Sequence, residues 1–74
     1  MYVAVAEFDN PAIAGLLVST LVDVGFHPAP LAQSAHVQVA GVARVFTVEV
    51  PPEERADVIQ FLRENGYSKN VVSL

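Results

Sequence analysis

Three observations predict an α+β fold in the order βαββαβ, a four-stranded antiparallel sheet with two helices on one face. Four short segments rich in Val and Ala read as strands. Two longer segments repeat their apolar residues at helical spacing, and Gly or Pro punctuates the junctions between them. With 74 residues there is room for one domain, residues 1–74, and for one core.

Tyr2 to Phe8 sets Val3 and Val5 against Ala4 and Ala6 and ends at the turn-forming pair Asp9 and Asn10, the pattern of a first strand. Asn10 can accept a hydrogen bond from an orphan N–H of the helix that follows. Pro11 suits its first position, where φ is fixed and no donor is needed. Ile13, Leu16, Leu17, Leu21 and Val24 then share a face expected to seal the core. Gly25 ends the helix in the left-handed conformation, with Phe26 folding back as its hydrophobic cap. The other face, Ala12, Gly15, Val18, Ser19, Val22 and Asp23, is small and mostly apolar where a solvated helix would show Lys and Glu. It is expected to be a packing surface. Gly15 costs stability inside a helix, and with Ala12 and Ser19 it forms either a groove for close packing or a point of local tolerance.

Pro28 and Pro30 deny ladder donors, so the stretch after Phe26 is expected to be an extended connection or a sheet edge. Regular pairing resumes over Ala35 to Ala40, a second strand at the edge, and Gly41 supplies the turn. From Arg44 to Val50 the third strand alternates Phe46, Val48 and Val50 against Val45, Thr47 and Glu49. Pro51 and Pro52 stop it. Glu53 and Glu54 fall in the first turn of a second helix, where its positive dipole end favours them, and Gly66 ends that helix. Val58, Ile59, Phe61 and Leu62 form its sealing face; Arg55, Asp57, Gln60, Arg63 and Glu64 form a solvated one. Val71, Val72 and Leu74 make a short last strand. Two right-handed crossovers with helices on one side of one sheet give the ferredoxin-like split sandwich. With Val3, Val5, Phe46 and Val48 inward, the open sheet face would present Ala4, Ala6, Val45 and Thr47, flat and nearly uncharged.

Composition points toward association. Hydrophobic residues make up 53% and charged residues 16%, against a usual charged share of about 25%. Between Asn10 and Ala43 there is one formal charge, Asp23. A domain this small and greasy, without Cys for disulfides, has oligomerisation as its remaining staple. The absence of Cys also removes thiolate metal sites, iron–sulfur ligation and cysteine nucleophiles, and fits a cytoplasmic protein. Met1 leads straight into an alternating segment with no basic region before an apolar run, so no signal peptide is expected. Ala12 to Val22 is broken by Ser19 and Thr20, and is short of the ~20 residues that cross a bilayer. Net charge is −4, with Arg44, Arg55, Arg63 and Lys69 the only cations. That balance disfavours nucleic acid and anionic membrane as partners.

Few side chains carry chemistry. An RNA-recognition module would need exposed aromatics and basic residues on the central strands, and neither central strand has them. A phosphate-cradling first loop would need cations where Phe8, Asp9, Asn10 and Pro11 stand. No glycine-rich phosphate loop exists. His27 and His36, with Asp9, Asp23 or Glu49, are the candidate metal ligands; the plainer reading is solvated histidines, His27 favoured by the helix C-terminus it follows. Glu49 would serve as a general base only if burial raised its pKa, and a solvated strand end fits it better. No catalytic residue and no cofactor is assigned.

The Asp9-Asn10-Pro11 start of an apolar helix, the Leu21 to Phe26 segment ending in Gly25-Phe26, and Val45 to Arg55 with its Val-x-Val strand and Pro-Glu-Glu together resemble a family of short bacterial proteins of unknown function. These are described as prokaryotic signal-transducing proteins with a PII-like fold. The resemblance spans nearly the whole chain and implies a ferredoxin-like fold and a regulatory role, but no functional residue carries over. PII regulators have a long loop between their second and third strands, where this chain offers only Ala40 to Ala43. They also hold ATP with basic residues and glycine-rich turns that this chain lacks. The expected function is a non-enzymatic, self-associating regulatory or small-ligand-sensing module in signal transduction. Its interface candidates are Ala12, Gly15, Val18, Ser19 and Val22 on the helix, and Ala4, Ala6, Val45 and Thr47 on the sheet. The alternatives are a small dimeric enzyme or metal-binding protein using His27 or His36, and a domain that docks on another protein.

Overall fold

The structure, a computed structural model, describes residues 1–31 and 45–72. Strand β1 (Val3–Phe8) leads into helix α1 (Pro11–Val24); strand β2 (Phe46–Val50) leads through a 3-10 turn (Pro52–Glu54) into helix α2 (Arg55–Glu64) and a second 3-10 turn (Ser68–Asn70). Over the described residues the fold is therefore α+β, with two helices and a two-stranded antiparallel sheet. The predicted second strand, with His36 and Gly41, lies outside the described residues. β2 is the predicted third strand, beginning at Phe46. Of the predicted last strand, Val71 makes a single antiparallel bridge to Ala6, and the Val72 amide donates to the Val5 carbonyl at 2.9 Å. Ala6 also pairs with Val48 of β2, so Val71 lies along the opposite edge of β1.

The register of β1 on β2 slips between Ala4 and Ala6: Ala4 faces Glu49 and Ala6 faces Val48, leaving Val5 as the extra residue of a bulge. This corrects the expected face of Ala6. Strict alternation from Val3 and Val5 would have buried Glu7 and turned Phe8 outward. The extra residue shifts the phase, so that Val5, Ala6 and Phe8 are all buried and Glu7 is exposed. The face of β2 turned from the core carries Thr47 and Glu49, paired with Glu7 and Ala4. It holds two carboxylates and is not the nearly uncharged surface that alternation implied.

Both helices share one core. Ala14, Leu17 and Leu21 of α1 and Val58 and Leu62 of α2 pack in a single cluster with Val5, Ala6, Phe8, Phe46, Val48 and Val50. Helix α1 starts as its capping residues predict: Asn10 Oδ1 accepts from the Ala12 amide at 2.8 Å, with Pro11 next. It ends as predicted too. Gly25 takes φ 113°, and the Phe26 amide closes onto the Leu21 carbonyl at 2.9 Å. What differs is rotation about the helix axis. Ile13, Leu16 and Val24, expected in the core, are 42%, 60% and 53% exposed, and the small Ala14 takes their place beside Leu17 and Leu21. Apolar residues occur all around α1, so periodicity alone could not say which arc would face the sheet. Helix α2 has a polar side, and its predicted sealing residues do turn inward: Val58 and Leu62 are fully buried, and Ile59 and Phe61 pack against them.

Candidate functional site

Two candidate surfaces stand out among the described residues, the outside of α1 and a contact between the segment after α1 and the start of α2. On α1, Ile13, Leu16 and Val24 are exposed along one side, with the half-buried Thr20 between them, whose hydroxyl donates to the Leu16 carbonyl of its own helix at 2.9 Å. Val22, 57% exposed, lies on the other flank of the buried arc. Of the interface candidates on this helix, Ala12, Ser19 and Val22 are exposed, Gly15 is half-buried, and Val18 packs against the core. A Cβ placed on Gly15 would meet nothing within 4 Å, so the glycine marks no close backbone approach within the described chain. On the sheet, Ala4, Val45 and Thr47 are half-buried and Ala6 is wholly covered. Asp23 is the one charged side chain on α1.

The second surface is built by the α1 terminus. Gly25 reverses the chain, and Phe26 meets Phe61 of α2 edge to face at 6.3 Å between ring centres. Beyond it, the Ala29 amide donates to the Glu49 carbonyl at 2.9 Å, so the segment is extended beside the end of β2, as Pro28 and Pro30 require. Between these anchors His27 donates its backbone N–H to Glu54 Oε1 at 2.8 Å, and its ring Nδ1 lies 2.6 Å from Glu54 Oε2. The His27 side chain is 78% exposed and that of Glu54 only 18%. The ring hydrogen bond of His27, then its backbone hydrogen bond, hold the Glu54 carboxyl below the usual carboxylate range, against a smaller upward push from burial. Glu54 closes the 3-10 turn before α2, so its carboxylate reaches back across the fold to His27 and makes no cap for the helix.

Among the described residues no three His, Asp or Glu side chains gather as a ligand set. His27 meets one carboxylate, Glu54; of its predicted companions, Asp9, Asp23 and Glu49, none makes an ion pair with it among the described residues. The candidate ligand His36 lies outside those residues. Nothing local in the sequence announces the His27–Glu54 contact, since 27 positions separate the two and each reads as an ordinary helix-end residue. No helix among the described residues is long and apolar enough to cross a membrane. No known family model matches the chain, nor does any curated protein or any solved structure.

Proposed function

We propose that the protein is a non-enzymatic regulatory or ligand-sensing module that works by associating with copies of itself, and that the outer side of α1 is where the copies meet. The observation that carries this reading is the exposure of Ile13, Leu16 and Val24 along one side of a helix whose sole charge is Asp23. Single exposed apolar residues are ordinary, and a stripe of them on a chain of 74 residues supports the reading of a contact surface. A small ligand would sit where subunits meet, since interfaces supply the apolar clefts that such sites need. The antiparallel contacts of β1, with β2 on one side and Val71 on the other, support a ferredoxin-like sheet completed by a fourth strand.

Sedimentation of the purified chain over a wide concentration range is the test. The expected result is a mass above 7.9 kDa at micromolar concentration, falling to 7.9 kDa for Leu16→Asp. A wild-type chain that sediments at 7.9 kDa throughout would overturn the reading. If it does so alone but enlarges when a binding protein is added, the docking-domain alternative takes its place.

A further inference from the structure

An ionised carboxylate can only accept hydrogen bonds, so the 2.6 Å contact between Glu54 Oε2 and His27 Nδ1 places the ring proton on Nδ1. The other ring nitrogen, Nε2, then carries the lone pair whenever the ring is neutral. It does so on a side chain that is 78% exposed. The partner is well held, because Glu54 Oε1 accepts the His27 backbone N–H at 2.8 Å, and the carboxylate cannot swing off the ring without giving up both bonds. The carboxylate thereby fixes both the tautomer and the orientation of the imidazole, leaving Nε2 as the accessible nitrogen.

We propose that Glu54 makes His27 an oriented nucleophile whose Nε2 accepts an acyl group from a small, neutral, activated acyl donor. In this step the Nε2 lone pair forms a bond to the acyl carbon, the bond from that carbon to the leaving group breaks, and the leaving group departs with the electron pair. The Nδ1 proton passes to Glu54 Oε2, which leaves a neutral N-acyl imidazole. The chain's overall charge of −4 favours a neutral donor over an anionic phosphoryl donor. Glu54 acts here as a positioning residue and proton acceptor, and His27 as the reacting group. A lone subunit carries the whole arrangement, so this inference stands apart from self-association.

Diethyl pyrocarbonate is a suitable probe, because it transfers an ethoxycarbonyl group to imidazole and releases ethyl carbonate, which breaks down to ethanol and carbon dioxide. The full chain is treated in mildly alkaline buffer and modification at His27 is followed by peptide mass spectrometry. Glu54→Gln turns one of the two accepting oxygens into an NH2 donor, so the backbone N–H and the ring Nδ1–H of His27 no longer both have an acceptor and no group takes the ring proton; His27 is expected to react on the order of tenfold more slowly than in the wild type. Equal rates in two folded proteins would overturn the inference. Long-range 15N–1H correlation on the wild type reads the tautomer directly, with the Nδ1–H form expected. Finding the Nε2–H form would overturn the inference, and this measurement decides the case if circular dichroism shows Glu54→Gln to be unfolded.

Discussion

Leu16 and Leu17 are neighbours in sequence, and the rotation of α1 predicts opposite consequences for truncating them. Leu17 is wholly buried beside Ala14 and Leu21. Replacing such a leucine with alanine removes the transfer energy of the lost methyl groups and leaves a cavity, together about 2.7–5 kcal/mol. Leu16 is 60% exposed, so only two-fifths of its surface is covered. That fraction of the roughly 2–3 kcal/mol for a fully buried leucine is about 1 kcal/mol. The better helix propensity of alanine offsets a few tenths of it. For a chain of this size each kcal/mol moves the melting midpoint by about 4–8 °C. Leu17→Ala therefore lowers Tm by more than ~10 °C, and Leu16→Ala by less than ~8 °C. The assay is urea and thermal unfolding by circular dichroism in dilute protein, where copies are apart. Repeating it at higher concentration adds a second reading, since an interface residue matters more as mass action favours the assembly. Equal losses for the two variants in dilute solution would refute the rotation, and a Leu16→Ala cost that ignores concentration would count against the interface.

Three further outcomes follow from particular contacts. Ala6→Lys places a charge without a partner in a fully covered site and is expected to unfold the domain by losing several kcal/mol, whereas Ala4→Lys, facing Glu49 on the other side of the sheet, is tolerated; equal tolerance of both in urea titrations would contradict the bulge. Gly25→Ala meets no atom within 4 Å, so its cost is that of holding an L residue at φ 113°, about 1–2 kcal/mol, measured as a shift in the urea midpoint without a change in slope. The lowered pKa of Glu54 means that the unfolded chain binds its proton more readily than the folded one. Its contribution is thus present above the usual carboxylate range and lost as pH falls through it, so Glu54→Gln should flatten the acid side of a stability–pH curve measured by urea unfolding.

Where local chemistry decides the structure, the sequence was readable. Asn10 and Pro11 start α1, Gly25 and Phe26 end it, Pro51 ends β2, and the amphipathic pattern of α2 assigns its buried side to Val58 and Leu62. Where tertiary packing decides, it was not. Helix α1 is apolar nearly all round, so its period names a helix but not the arc that meets the sheet, and Ala14 won that place from Ile13 and Leu16. The bulge at Val5 did leave a trace. Glu7 followed by Phe8 breaks the alternation begun by Val3 and Val5, and only an extra residue in the ladder turns the glutamate out and the phenylalanine in. The His27–Glu54 contact left none, because it depends on how the ends of two distant elements meet.

A second copy covering the outer side of α1, as proposed, is observed directly by isotope-filtered NOE spectroscopy on a mixture of labelled and unlabelled chains. Cross-peaks between chains from the methyl groups of Ile13, Leu16 and Val24 are predicted, and they should vanish on dilution. Methyl groups that show contacts only within their own chain at every concentration would contradict it.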